Sequence, residues 1–394
     1  MAALTGVAPS HAATVYGAAW EGTLQLARLD PDTMRLTGRR VPLAREPLGW
    51  SFSPDRSRLV TGSTARGARL RFVDLRRMLL LGDLTVSRRG SGIATAWVGP
   101  RRVLSVVVLP GCCGAGDTVV AVVDAERRRV LWRQRLGGSL QAGERLGRSL
   151  LLVLGPRGDA VGPSRLVQVG PHGAARSVAL PEIISGTRPS GTVTESWSPG
   201  LAVDRSGRRA FVVQAQAPVA EVDLRTFGVE SHRMQANPRA ADDALRGPQR
   251  DALWLGRGKL AITGLDHTAV AAGRSRERPA GLTLVDTRRW VARKIDAQTT
   301  DVALASGTLL ASSYLYDSRS RRITGSGLSG YSPTGRRKFH LFGRAPVLVQ
   351  PVGGNALAGG MGATKLIDAR SGRRLRSFRR FSLTLMEMDA PVFY

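Results

Sequence analysis

Along nearly the whole chain, apolar and β-branched residues alternate with polar ones in short runs, broken by turns of Asp, Pro, Gly, Ser or Thr. Period-two alternation sends successive side chains to opposite faces of a strand, and a turn cluster between two such runs reads as a β-hairpin. One hairpin type is a strand ending in an Asp turn: LARLDPDTMRL, LRFVDLRRMLL, VAVVDAERRRVL, VAEVDLRTFGVE, LTLVDTRRWVA and TKLIDARSGRRL, with Asp30, Asp74, Asp124, Asp223, Asp286 and Asp368 at the turns. LVQVGPHGAARSV and LSGYSPTGRRKF are copies without the Asp. A second type lies between consecutive copies, as WSFSPDRSRLVTGS, ATAWVGPRRVLSVVV, GERLGRSLLLVL, LAVDRSGRRAFVVQ, ALWLGRGKLAITG, VALASGTLLASS and VLVQPVGGNALAGG.

Alternating the two types produces a four-stranded antiparallel meander per repeat, with no helical periodicity between them, so the chain is predicted to be all-β. A single meander cannot bury both faces of its sheet, whereas stacking meanders as blades of a closed ring buries them and hides the sheet edges. A single closed β-propeller follows. Complete units run from residue 50 to about 380 and number seven. The N-terminal strands TVYGAAW, TLQLARL and MRLTGRRV lack an innermost partner, which FSLTLM at residues 381–386 supplies; this makes eight blades, or seven if the terminal strands are irregular. Residues 13–394 form the propeller domain, and residues 1–12 a frayed terminus or a signal-peptide remnant.

Charge changes this picture. The chain carries 58 basic against 30 acidic residues, a net +28, and only Lys259, Lys294, Lys338 and Lys365 of the basic residues are not Arg. A GC-rich coding bias accounts for that ratio most simply, but the charge attracts polyanions all the same: nucleic acid, anionic lipid or acidic cell-wall polymers. In an up-and-down meander both short turns of a blade emerge at one end. Arg56, Arg58, Arg101, Arg102, Arg208 and Arg209 beside inner turns, and Arg76, Arg77, Arg127, Arg128, Arg129, Arg288, Arg289, Arg336, Arg337, Arg373 and Arg374 beside outer turns, are therefore expected on one basic face.

No apolar run approaches the length of a membrane-spanning helix, and a monomer is the expected state. The opening MAALTGVAPSHAAT is small and apolar and ends in Ser10-His11-Ala12, a small-x-small pattern that suits signal-peptidase cleavage, although the charged and fully apolar front of a signal would have to lie before Met1. An extracytoplasmic location is expected on that pattern, a cytoplasmic one if Met1 is the true start. The two cysteines, Cys112 and Cys113, are adjacent in LPGCCGAGD. They either bond to each other as a vicinal disulfide, which needs an oxidising compartment, or stay reduced; their spacing does not suit zinc, and no metal is expected.

The VDxxxG-type hairpins, together with SPDRSRLV and VDRSGRRAFVV, resemble the repeats of bacterial YVTN-type and quinoprotein-like propellers. VVDAERRRVLW is similar to the tryptophan-docking repeat of quinoproteins, with Trp132 eight positions after Asp124. Arg127-Arg128 stand where that repeat has Thr-Gly, and Arg376 stands where Asp368 would have its Trp. A quinone is the cofactor the resemblance would admit, and with these departures none is expected.

The longer connections, 109–117, 155–163, 181–198, 235–250, 265–280 and 314–325, share the end opposite the short turns. Loops over a rigid scaffold, above a central channel, are the default ligand surface. Candidate residues there are Glu195 and Trp197, Asp242 and Asp243, His267, and Tyr314 with Asp317, a set of carboxylates, a His and aromatics that suits acid/base work or ligand contact. Trp50, Trp97, Trp197 and Trp254 recur at similar repeat positions, which reads as blade-to-blade packing. There is no G-x-S-x-G elbow, P-loop, G-x-G-x-x-G after a strand, H-E-x-x-H or EF-hand loop. The expected function is a non-enzymatic extracytoplasmic propeller binding a partner protein or glycan across the long-connection face. The alternatives are a propeller enzyme, quinoprotein-like dehydrogenase or lactone hydrolase, at the channel mouth, and a polyanion binder working through its arginines.

Overall fold

The computed structural model describes residues 15–21, 23–30, 35–43, 47–64, 67–111, 115–158, 160–173, 175–190, 193–215, 218–234, 248–271, 274–317, 322–352, 354–360, 363–379 and 383–385. Cys112, Cys113, Asp242 and Asp243 lie outside them. The described residues contain strands and turns and no helix, arranged as eight antiparallel sheets around a ring, with the small hairpin Leu315–Asp317/Arg322–Thr324 as an addition.

From the innermost strand outward, blade 2 is Pro47–Phe52, Arg58–Ser63, Ala68–Asp74 and Leu79–Ser87, and blade 3 is Gly92–Gly99, Arg102–Pro110, Ala115–Asp124 and Arg129–Arg135. Blade 4 is Leu140–Leu146, Ser149–Leu154, Val161–Val169 and Ala175–Ser190, with Val193–Trp197 paired to the last. Blade 5 follows as Gly200–Val203, Arg209–Val213, Val219–Asp223 and Val229–His232. Blade 6 is Gln249–Gly256, Lys259–Ala271, Leu282–Asp286 and Val291–Asp296, with Arg274–Pro279 paired to its second strand. Blade 7 is Asp301–Ala305, Thr308–Ser312, Leu328–Tyr331 and Arg337–Leu341, and blade 8 is Leu348–Val352, Asn355–Gly360, Ala363–Asp368 and Arg374–Arg379. Blade 1 combines both ends of the chain: Leu383–Leu385 is innermost, followed by Val15–Glu21, Thr23–Leu29 and Leu36–Pro42. The closing pairs are Gly17 with Leu385, Ala18 with Thr384 and Ala19 with Leu383.

The core lies between blades rather than inside any one sheet. Buried Phe72 and Leu70 of blade 2 pack with Trp97 and Val103 of blade 3, Leu151 of blade 4 with Val212 of blade 5, and Leu310 of blade 7 with Ile367 of blade 8. Three of the four recurring tryptophans, Trp50, Trp97 and Trp254, do this work, whereas Trp197 stands on the extra hairpin of blade 4. Trp97, fully buried, donates its indole N–H to the Ser51 carbonyl of blade 2 at 2.9 Å and its backbone N–H to Ser51 Oγ at 3.0 Å. Trp254 of blade 6 stacks on Phe211 of blade 5, centroids 5.3 Å apart and 5° from parallel.

The turn aspartates fix the outer hairpins. Asp124 Oδ1 accepts the backbone N–H of Glu126 and Arg127, Asp223 those of Arg225 and Thr226, and Asp368 those of Arg370 and Ser371. This is the Asx-turn that explains why the repeat keeps Asp there. The same amides hold the three carboxyls below the usual carboxylate range. Both turn types do emerge at one end: Arg58 at the inner turn of blade 2 lies 3.8 Å from Glu126 in the outer turn of blade 3, and Arg102 donates to the Pro171 carbonyl in the outer turn of blade 4 at 3.4 Å.

At the opposite end three of the connections expected as loops, 181–198, 265–280 and 314–325, are β-hairpins. The Ala175–Ser190 strand continues past blade 4 and turns back as Val193–Trp197, and Lys259–Ala271 does the same with Arg274–Pro279. Their Ser, Gly and Pro content reads as loop, yet Thr, Val and Ile alternate through EIISGTRPSGTVTESW closely enough to pair.

Candidate functional site

The innermost strands of blades 3 and 5 are mostly buried, whereas those of blades 4 and 7 stay partly wetted in front of a dry second strand. Leu140–Leu146 of blade 4 is half-buried along its whole length in front of a mostly buried Ser149–Leu154, and Asp301–Ala305 of blade 7 is largely half-buried or exposed in front of a wholly buried Thr308–Ser312. Three carboxylates stand on such strands, and the sequence reading missed them all: Glu144, Asp251 and Asp301. Burial pushes Glu144 up to about 7. Asp251 is raised to about 6, first by burial and then by the neighbouring Asp301 charge. Asp301 is raised as well, again by burial. Both aspartates present surface to channel water yet are hemmed in by protein on their other sides, and that confinement is what disfavours their charged forms.

Local register explains the Asp251/Asp301 pair. On Gln249–Gly256, Trp254 points to blade 5, whereas Leu253 and Leu255 pack with blade 7. Asp251 shares the face of Leu253, so it is aimed at blade 7, whose inner strand begins with Asp301. Inner strands start at the long-connection end. The pair therefore lies at that mouth of the channel, and Glu144, fifth in its strand, is nearer the other end.

Hairpins wall this mouth on the side of blades 6 and 7. Arg250, buried, lies 2.7 Å from Asp266 and donates to the carbonyls of Gln249 at 2.8 Å and Leu265 at 3.2 Å. His267 is directly across from Glu277 in the register. Glu277 Oε2 accepts the Tyr316 backbone N–H at 3.1 Å, tying the hairpin of blade 6 to that of blade 7. The Tyr314 backbone N–H donates to Thr300 Oγ1, one residue before Asp301, at 3.1 Å, and Asp317 is across from Arg322. Tyr316 is 47% exposed.

Of the residues expected from the sequence, His267, Tyr314 and Asp317 thus gather around one part of the mouth. Glu195 and Trp197 do not join them. They stand on the hairpin of blade 4, where the fully buried Glu195 carboxylate lies 2.9 Å from Arg188 and the Arg188 guanidinium lies over the Trp197 ring at 5.1 Å. Among the described residues no three His, Cys, Asp or Glu side chains converge as metal ligands.

Trp132 packs across the interface between blades 3 and 4. Its indole lies against Gly173 in the outer turn of blade 4, so closely that a Cβ on Gly173 would fall 2.3 Å from the ring. Phe339 of blade 7 sits on Gly372 of blade 8 in the same way, with 2.5 Å to such a Cβ. Both are ring-on-glycine contacts between neighbouring blades.

No known protein family matches the chain, and no curated protein does. Among solved structures, the dihydro-heme d1 dehydrogenase NirN in complex with DHE is similar at 14% identity and a TM-score of 0.62, over 94% of this chain and 74% of that one. The β-propeller domain of Cps50 (Swd1) from Myceliophteria thermophila aligns at 12% identity and a TM-score of 0.42, over 84% of this chain and 96% of that one. The first likeness is one of fold.

Proposed function

We propose that this chain is a non-enzymatic binding propeller of the cell exterior, seating a protein or glycan partner on its long-connection face above blades 6 and 7. One observation carries the reading: hairpins that the ring itself does not need rise beside the Asp251/Asp301 mouth and are joined through Glu277 and Tyr316. Exposed Tyr316 and half-buried Tyr314 supply amphipathic aromatic surface, and the aspartates supply acceptors for hydroxyl or ammonium groups. Binding of a defined panel of envelope oligosaccharides and cationic peptides to immobilised protein tests it. At least one class is expected to bind wild type and to lose tenfold or more in Tyr314→Ala/Tyr316→Ala, an effect on the order of 1.4 kcal/mol. Equal retention by both proteins for every class that binds would refute the site.

A second reading, an enzyme at the same mouth, has one observation in its favour: two neighbouring carboxyls, Asp251 and Asp301, stand at the channel mouth, both raised above the usual carboxylate range by burial. Mass spectrometry of the panel after long incubation separates the two readings, since conversion lost in Asp251→Asn supports turnover and unchanged ligand supports binding.

A further inference from the structure

Among the described residues eight large apolar side chains are left exposed; Ile184, Tyr316 and Leu348 lie toward the long-connection end, and the other five, Leu80, Leu131, Val229, Val291 and Leu375, are 37% to 43% exposed. These five share one address. Each is among the first three residues of the outermost strand of its blade, directly after the outer turn, in blades 2, 3, 5, 6 and 8. The same turns carry exposed arginines: Arg77 before Leu80, Arg127 to Arg129 before Leu131, Arg225 before Val229, Arg288 and Arg289 before Val291, and Arg373 and Arg374 before Leu375. The turn aspartates are bonded inward to the amides of their own turns, which leaves the guanidinium groups outermost. Glu126 pairs with Arg58 and Arg101, and Asp55 with Arg76, so some of the positive charge is answered, but Arg127, Arg289, Arg336 and Arg373 have no ion-pair partner among the described residues.

The short-turn end of the ring is thus a broad annulus in which aliphatic side chains and arginines recur together at the rim. A soluble polyanion has no use for the aliphatic positions, and a nucleic-acid duplex would engage one track across the face rather than its circumference. A bilayer meets the whole circle at once: guanidinium groups reach anionic head groups while aliphatic side chains enter the boundary with the acyl chains. We propose that the short-turn end docks on an anionic lipid surface, which turns the long-connection face away from the membrane.

Sedimentation with vesicles tests this, using phosphatidylcholine alone and phosphatidylcholine with about a third phosphatidylglycerol. Wild type is expected to pellet only with the anionic vesicles, and less as salt rises. Reversing four turn charges, Arg127→Glu, Arg289→Glu, Arg336→Glu and Arg373→Glu, should weaken binding at least roughly a hundredfold, at roughly fivefold per arginine. A control of equal net charge at the other end, Arg69→Glu, Arg88→Glu, Arg89→Glu and Arg278→Glu, should stay within a few-fold of wild type. Leu80→Ser, Leu131→Ser, Val229→Ser and Leu375→Ser together should cost vesicle binding about tenfold and leave retention on heparin unchanged. Melting curves establish that each variant is folded; should the fourfold serine variant not fold, Val291→Ser/Leu375→Ser is expected to show the same split in smaller measure. Three results overturn the proposal: no preference for anionic vesicles, equal loss in the control, or serine variants that bind vesicles as wild type does.

Discussion

Arg128 occupies a left-handed backbone conformation, φ 47°, at the fourth position after the turn aspartate. Met78, Phe227 and Trp290 do the same at their equivalent positions, where Gly372 shows the residue that suits it. A side chain there costs roughly 1 kcal/mol, which Met78 and Trp290 recover by packing into blade interfaces. Arg128 is exposed, so Arg128→Gly is expected to raise stability by up to about 1 kcal/mol in denaturant unfolding. Gly173→Ala goes the other way: φ is +85° and the indole of Trp132 leaves no room, so a loss of about 2 kcal/mol or more is expected from the same measurement. Glu144 gives a pH signature. An ordinary Glu titrates near ~4.3, and burial lifts this one to about 7, so the folded chain holds the proton more tightly than the unfolded chain. Its contribution is most favourable below about pH 4 and is lost as pH rises toward about 7. Glu144→Gln is expected to flatten that decline and to gain on the order of 2 kcal/mol over wild type at pH 8, read from unfolding curves at pH 5 and pH 8. Parallel curves for the two proteins would show that Glu144 is not confined.

At the scale of elements, the outer hairpins were legible because one residue type does one local job: Asp124, Asp223 and Asp368 cap their turns through contacts spanning three residues, and such contacts leave a spacing in the sequence. Trp132 stood out by its spacing from Asp124, but its contact with Gly173 lies one blade on and leaves no spacing to read. Asp251 and Asp301 were not legible. They lie fifty positions apart, each looks like an ordinary strand-edge polar residue, and only the stacking of blade 6 on blade 7 brings them to one channel mouth. The hairpins of blades 4, 6 and 7 were hidden by Gly, Pro and Ser that signal turns but here sit within paired strands, as Arg188-Pro189-Ser190 pairs with Val193-Thr194-Glu195. Those hairpins are additions to the blades. Replacing residues 315–324 with a short Gly-Ser turn is accordingly expected to move the melting temperature by only a few degrees while removing partner binding; a collapse of the fold would make the hairpin part of the ring's stability.

For the whole molecule, the ring fixes which connections share an end, with the short turns and their arginines at one and the extra hairpins beside Asp251 and Asp301 at the other. A ring left open would expose two sheet edges and lose the fixed relation between those ends. Closure rests on a short pairing of Leu383–Leu385 with Val15–Glu21, so deleting residues 381–394 is expected to broaden thermal unfolding and to promote aggregation. The direct test is a crosslink. Ala18 and Thr384 are opposed across that antiparallel pair, and opposed Cα atoms lie within disulfide range. In Ala18→Cys/Thr384→Cys, oxidised without denaturant, peptide mapping is expected to recover the N-terminal strand joined to the C-terminal one, with a melting temperature above that of the reduced protein. Free thiols at both positions in folded, oxidised protein would contradict the eight-bladed closed ring, and with it the assignment of the two faces.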